Sequence, residues 1–106
     1  MSKRLHLNIP HTVGRAEAIA RAHALGEYFE NRHGMKMSWR AANIGHLEGN
    51  YLLIHIDGLF EIDDREVRLD GKDPGFLLRG KALEYLERKI RAYMDPATPL
   101  EQLQRA

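Results

Sequence analysis

The chain has 106 residues, which suits one domain and is too short for two ordinary ones. Hydrophobic residues make up 43% and charged residues 29%, a balance typical of a folded globular protein rather than a disordered one. The net charge of +1 supplies no general attraction to nucleic acid or to an anionic membrane. Because the chain has no cysteine, disulfides, thiolate metal sites and cysteine nucleophiles are excluded.

No segment has the pattern of a signal peptide or of a transmembrane helix. The basic start over residues 1–4 is followed by apolar residues that His6, Asn8 and Pro10 interrupt. The longest apolar stretch, residues 51–54, is far shorter than the roughly 20 residues that a membrane-spanning helix needs. We therefore expect a cytoplasmic protein without a transmembrane segment.

The first third of the chain predicts a strand followed by a helix. Leu5, Leu7 and Ile9 alternate with polar residues until Pro10, which predicts a half-buried strand over residues 5–9. Thr12 or Gly14 can cap the helix that follows, and a left-handed Gly34 can end it. The apolar stripe of this helix comprises Ala18, Ile19, Ala22, Leu25, Gly26 and Phe29. The charged residues expected mostly on its solvent side are Glu17, Arg21, Glu27, Glu30 and Arg32.

The middle third predicts further short strands. Alternation over residues 35–41 indicates a strand with Met37 and Trp39 on one face, whereas two glycines within residues 43–50 predict a loop or a wide hairpin connection. The Asp57-Gly58 pair predicts a tight turn over residues 55–58, between strands at 51–54 and 59–62. In the alternative, residues 51–62 form one strand with a bulge at Gly58. A turn over residues 63–65 then leads to a strand over residues 66–69.

The last third predicts a long helix and a short tail. After a loop over residues 70–75, a helix begins at Phe76 and ends before Pro96. Thr98 opens a short capping-box pattern with Pro99 at the first helical position, so residues 96–106 are expected to form a tail with a short helix. Leu100 and Leu103 can dock this tail onto a single domain over residues 1–95. The face of the long helix predicted to be buried comprises Phe76, Leu83, Leu86, Ile90 and Tyr93.

The order β-α-β-β-β-(β)-α predicts an α+β fold. Strands joined by tight turns run antiparallel, so we expect an antiparallel sheet of four to five strands with two helices on one face. An unpaired edge, such as the first or last strand, leaves room for a homodimer. The other face is either solvated or a partner surface, and it should carry His6, Asn8, Lys36, Ser38 and Arg40.

The polar residues do not form a recognisable catalytic or metal-binding motif. Neither serine stands in a nucleophile elbow, and phosphate-binding and dinucleotide motifs are absent. Two side-chain pairs could form hydrogen bonds, His11 with Glu17 and His55 with Asp57. Strand pairing could also bring His6 near His55. We therefore expect no enzyme, no metal and no cofactor. The histidines, which lack metal-ligand spacing, are His6, His11, His23, His33, His46 and His55.

Three large apolar residues in a row, Phe76, Leu77 and Leu78, open the predicted second helix. Successive residues on a helix point in different directions, so Leu77 or Leu78 should be exposed unless the segment inserts into the core. Insertion into the core and an exposed partner surface both remain open at this point.

Four segments together resemble the polyhydroxyalkanoic acid system proteins, small bacterial proteins named for genes near those of polyhydroxyalkanoate synthesis. They are HTVGRAEA at residues 11–18, Trp39, IDG at residues 56–58, and GFLLRGKA at residues 75–82 leading into Ile90. The resemblance runs from about residue 5 to residue 94. It departs at residues 41–50, which look like an insertion. The resemblance carries no catalytic residues and implies a cytoplasmic role in granule formation, regulation or surface coating.

Two hypotheses follow. The first is a non-enzymatic accessory protein of polyhydroxyalkanoate storage, in which Phe76, Leu77 and Leu78 contact the granule or a granule protein. The alternative is a small-molecule binding protein with an apolar ligand between the sheet and the C-terminal helix. Nucleic acid is not expected as a partner, although Lys36 and Arg40 on the uncovered sheet face could contact it. The residues that would line the ligand cavity are Met37, Trp39, Tyr51, Phe60 and Tyr93.

Overall fold

The computed structural model describes residues 4–106, which form a five-stranded antiparallel sheet covered on one face by two α-helices. This confirms the predicted α+β fold. Residues 1–3, most of the basic start, lie outside the described residues. The strands, which lie in the order β1-β5-β4-β3-β2, are β1 (Arg4–Pro10), β2 (Lys36–Ala41), β3 (Ile44–Tyr51), β4 (Ile54–Ile62) and β5 (Glu66–Lys72). The helices are α1 (Arg15–His33), α2 (Phe76–Met94) and a 3-10 helix (Leu100–Gln102).

The central strand β4 separates the two faces of the sheet. Ile54, Ile56, Phe60 and Ile62 are buried beneath the helices, whereas His55, Asp57, Leu59 and Glu61 point to the opposite, open face. Gly14 precedes the first residue of α1, and Gly34 follows its last residue with a φ of 67°, which is the predicted left-handed cap. The alternation of one strand and the apolar stripes of two helices therefore account for a single core.

The predicted boundaries of the third and fourth strands were wrong. Residues 43–50, expected as a loop and as an insertion, form most of β3, and β3 pairs with both β2 and β4. The expected turn over residues 55–58 lies inside β4, where Gly58 pairs with Leu47 of β3 and Gly71 of β5. The alternative of one long strand was nearer, although β4 begins at Ile54 and keeps a regular register through Gly58.

Close packing rather than a turn explains Gly58. A Cβ atom added there would lie 2.9 Å from Leu69 Cδ1 and 3.2 Å from Gly71 Cα. The same holds for Gly45 in β3, where an added Cβ would lie 2.9 Å from the Trp39 ring. These glycines allow neighbouring side chains and strands to approach closely, a role that a local turn signal does not reveal.

Three further predictions were wrong, two at individual residues and one about the edge of the sheet. Phe76, expected in the core, is 77% exposed, because it opens α2 and the buried residues of that helix begin only at Ala82. The 3-10 helix has no side-chain cap hydrogen bond, and Pro99 precedes it rather than opening it. The last strand, β5, lies between β1 and β4, so the sheet edges are β1 and β2. A homodimer through an open edge and the division at residue 95 stay predictions.

Arg21, expected on the solvent side of α1, is instead buried, with 2% of its surface exposed. Its guanidinium donates hydrogen bonds to the carbonyl oxygens of Tyr93 at 2.9 Å, Asp95 at 3.1 Å and Thr98 at 2.7 Å. It also pairs with Glu17 at 2.9 Å. One side chain of α1 therefore holds the end of α2 and the start of the tail, satisfying carbonyls that the helix end leaves free.

Replacing Arg21 should strongly destabilise the protein. Arg21→Met keeps much of the buried volume but leaves three carbonyl groups without their charged donor, which should cost about 3 kcal/mol in the free energy of unfolding. Chemical denaturation measures this loss. The control is Arg91→Met, which removes a half-exposed arginine that pairs with Glu87 at 3.4 Å. Equal and small losses for both variants would contradict the anchoring role of Arg21.

Candidate functional site

Four large apolar side chains are exposed among the described residues. They are Leu52 at 81%, Leu53 at 91%, Phe76 at 77% and Leu77 at 78%. Leu52 and Leu53 form the turn between β3 and β4, and Phe76 and Leu77 open α2. Leu78, by contrast, is half-buried and packs against the core. Phe76 and Leu77 are therefore exposed, whereas the Leu78 side chain is partly inserted into the core.

The two pairs of exposed residues lie at the same end of the sheet, where β4 begins and β5 ends. A groove of about 220 Å³ separates the β3–β4 turn from α2 and is lined by Leu52 on one side and by Lys81 and Glu84 on the other. Leu77 precedes Lys81 by one helical turn and so shares its face of α2. We call Leu52, Leu53, Phe76 and Leu77 the apolar end.

The turn that carries two of these residues is strained. Tyr51 pairs with Ile54, so Leu52 and Leu53 are its only central residues. Leu52 has a φ of 56°, and no other described residue except glycine has a positive φ. Glycine or asparagine usually fills such a position, and a leucine there costs about 1–2 kcal/mol. The strained turn thus lowers the stability of the folded protein, and it holds two leucines in solvent.

Aromatic packing supports the base of this turn. Tyr51 stacks on Tyr85 of α2 with ring centroids 3.8 Å apart, and the Tyr85 hydroxyl lies 3.1 Å from His33 Nε2. Burial raises the pKa of Tyr85, and the pKa of Tyr93 rises to about 12, chiefly through burial. Both phenols therefore stay protonated at neutral pH. Burial lowers the pKa of His33, followed by the positive charges of Lys89 and Arg32.

The His33 environment predicts a pH dependence of stability. Since the folded pKa lies below the ordinary value of about 6.5, the unfolded chain binds a proton more readily. The full contribution of neutral His33 to the free energy of unfolding is present above that value and is lost progressively as the pH falls below about 6.5. The free energy of unfolding should decline over this range in the unmodified protein and less in His33→Gln. The exposed-site control His6→Gln should decline like the unmodified protein, and an equal decline in all three would contradict this assignment.

The residues predicted to line a ligand cavity do not enclose one. Met37 and Phe60 border an internal space of about 10 Å³, which is room for about one water molecule. Trp39 stacks on His23 at 3.7 Å, Tyr51 stacks on Tyr85, and the Tyr93 hydroxyl donates to the Gln104 carbonyl. Their partners are side chains and backbone of the protein itself, so among residues 4–106 no space between the sheet and the helices supports the ligand-binding alternative.

The open sheet face is polar, and many of its charges are paired. Arg68 contacts Glu61 and Asp63, each at 2.7 Å, and Arg4 contacts Asp70 at 2.6 Å. Strand pairing puts the predicted residues His6 and Asn8 on this face beside Asp70 and Arg68, and Lys36 and Ser38 beside Glu48 and His46. The register breaks at Arg40, between Trp39 and Ala41.

One cluster on this face was not predicted as a whole. Glu48, His55 and Asp57 place one ligand atom each within 4.8 Å of the others. Asp57 Oδ1 lies 2.7 Å from His46 Nε2, and Lys72 Nζ lies 3.3 Å from Asp57 Oδ2. The hydrogen bond from His46 is the main reason that the pKa of Asp57 is lowered. The missing signal was the register of β3 against β4, which the wrong turn prediction concealed.

The histidine pairs left open by the sequence have other partners. The His55 ring lies 3.2 Å from the Asn50 side-chain oxygen, whereas Asp57 is bonded by His46. His11 Nε2 contacts the Asp63 carbonyl oxygen at 2.8 Å rather than Glu17. His6 lies across from Asp70 and not beside His55.

Comparison with known proteins identifies the family. A family model described as putative polyhydroxyalkanoic acid system protein matches residues 5–97. The chain belongs to this family. The match spans nearly the whole sheet and both α-helices, including residues 41–50. Neither the curated proteins nor the solved structures give a match. Within residues 4–106, the helices lack the length and apolar character needed to cross a membrane.

Proposed function

We propose that this member of the polyhydroxyalkanoic acid system family is a non-enzymatic, cytoplasmic accessory protein that attaches to storage granules through its apolar end. The observation that carries the proposal is the exposure of Leu52, Leu53, Phe76 and Leu77 at one end of the fold. Large apolar side chains held in solvent at one end of a fold are typical of interaction surfaces. Family membership supports a polyester as the partner, because a stored polyester offers an apolar surface.

The energetics fit reversible attachment. Burying one large apolar side chain contributes about 2 kcal/mol, so no single residue can offset the loss of free motion on binding. Four together contribute about 8 kcal/mol before those costs. Attachment should therefore need several of the four residues and should resist salt, since little of it is electrostatic. Hydrocarbon side chains offer adsorption and no nucleophile or base, which agrees with a non-enzymatic role.

Acidic substitutions at the apolar end should abolish granule binding without unfolding the protein. Leu53→Asp and Leu77→Asp each place a charge where the polyester would exclude water, so co-sedimentation with isolated polyhydroxybutyrate granules should fall about tenfold or more. The folds should survive, because both side chains are exposed. Thr12→Asp is the matched control, since it adds the same charge at an exposed position at the opposite end of the sheet.

Three outcomes would contradict the attachment proposal. One is a lack of binding by the unmodified protein above a control protein of similar size and charge. Another is equal loss of binding in Thr12→Asp. The third is binding that disappears in moderate salt, which would indicate an electrostatic contact instead.

The strained turn allows attachment to be separated from stability. Leu52→Asn puts a residue that tolerates a positive φ at the strained position, so the free energy of unfolding should rise by about 0.5–1 kcal/mol. The same change removes one apolar contact, so granule affinity should fall severalfold. Denaturation and co-sedimentation on the same preparation measure both effects. A less stable variant, or one that binds granules as well as the unmodified protein, would contradict the role assigned to this turn.

A further inference from the structure

We propose that Glu48, His55 and Asp57 form a binding site for a divalent transition-metal ion such as Zn²⁺ on the open sheet face. The site is independent of granule attachment. It lies on the face of the β3–β4 hairpin away from the helices. Glu48 and Asp57 each lie three residues from the strand ends that flank the Leu52–Leu53 turn.

Strand register brings the three ligands together. Glu48 on β3 lies directly opposite Asp57 on β4, and His55 precedes Asp57 by two residues and so points to the same face. Their ligand atoms all lie within 4.8 Å of one another. Zinc binds imidazole nitrogen and carboxylate oxygen at about 2.0–2.2 Å, so two ligand atoms of one ion stand up to about 4 Å apart. Small side-chain rotations would close the remaining distance.

Carboxylates from two neighbouring strands face each other at this place. Two carboxylates directly opposite each other destabilise a sheet. His46 and Lys72 contact Asp57, and Lys36 of β2 lies directly opposite Glu48 on its other side. Glu48 has no ion pair within the part of the chain that the structure describes, so its carboxylate is available to an ion placed between Glu48 and Asp57.

The donor set indicates which ions fit. One imidazole with two carboxylates suits Zn²⁺ and neighbouring first-row ions better than Ca²⁺ or Mg²⁺, which prefer oxygen ligands alone. His46 Nε2, 2.7 Å from Asp57 Oδ1, would orient that carboxylate as an outer hydrogen-bond partner. Lys72 contacts the other oxygen at 3.3 Å, but each carboxylate oxygen can accept a second interaction. Water would complete the coordination of an exposed ion.

A bound ion would join β3 to β4 beside the turn that presents Leu52 and Leu53. Because only the folded hairpin brings the ligands together, binding stabilises the folded state and raises the melting temperature.

The test is titration of the untagged full chain with Zn²⁺ by calorimetry, supported by the visible absorption spectrum with Co²⁺. We expect one ion per chain, and an affinity at least about tenfold weaker in Glu48→Gln and in His55→Gln. His6→Gln is the matched control, because His6 is exposed on the same sheet face but lies outside the cluster. It should bind as the unmodified protein does, and only the unmodified protein and this control should gain melting temperature with Zn²⁺.

Two results would overturn the metal site. One is the absence of saturable binding by the unmodified protein at Zn²⁺ concentrations up to about 1 mM, because a specific site would fill well below that concentration. The other is binding that persists unchanged in both Glu48→Gln and His55→Gln, which would place the ion elsewhere. Glu48→Gln should fold normally, since Glu48 is exposed and forms no ion pair with any residue from 4 to 106. Its unfolding curve without metal checks this.

Discussion

The register of β3 against β4, closed by the two-residue turn at Leu52 and Leu53, is the constraint on which the other features depend. Side chains alternate along a strand, so a slip of one residue would move every side chain to the other face. In the observed register Leu47 and Ile56 lie in the core, whereas Glu48 and Asp57 meet on the open face. The core, the polar cluster and the exposed turn are therefore consequences of one pairing.

Much of the fold could be predicted because its signals are local. Alternation identified β1 and β5, apolar stripes identified both helices, and Gly34 marked the end of α1. The predicted boundaries of the β3–β4 hairpin were wrong for a physical reason. Asp57-Gly58 has the local chemistry of a turn, but pairing on both sides and burial of the neighbouring isoleucines override it. The true turn, Leu52-Leu53, has no turn-forming residue at all.

The parts of the candidate sites that were missed depend on contacts between distant positions. Nothing near Arg21 in the chain indicates that the carbonyls of Tyr93, Asp95 and Thr98 surround it. Glu48 and Asp57 meet only once the register is known. Helical spacing assigned Phe76 to the buried face, but spacing does not reveal where along a helix burial begins. Leu77 was recognised as a candidate because three consecutive apolar residues cannot all face the core.

The surface combines an exposed apolar end, through which we propose attachment, with a polar face whose charges are largely paired. If the end bearing Leu53 faces the granule, single-cysteine labelling can detect it directly, because the chain has no native cysteine. An environment-sensitive fluorophore is attached at Leu53→Cys or at Asp64→Cys, which lies in the turn at the opposite end of β4. On addition of granules, the label at position 53 should shift to the blue and become protected from an aqueous quencher, while the label at position 64 should not change. Equal changes at both positions, or a change at position 64 alone, would contradict attachment through the apolar end.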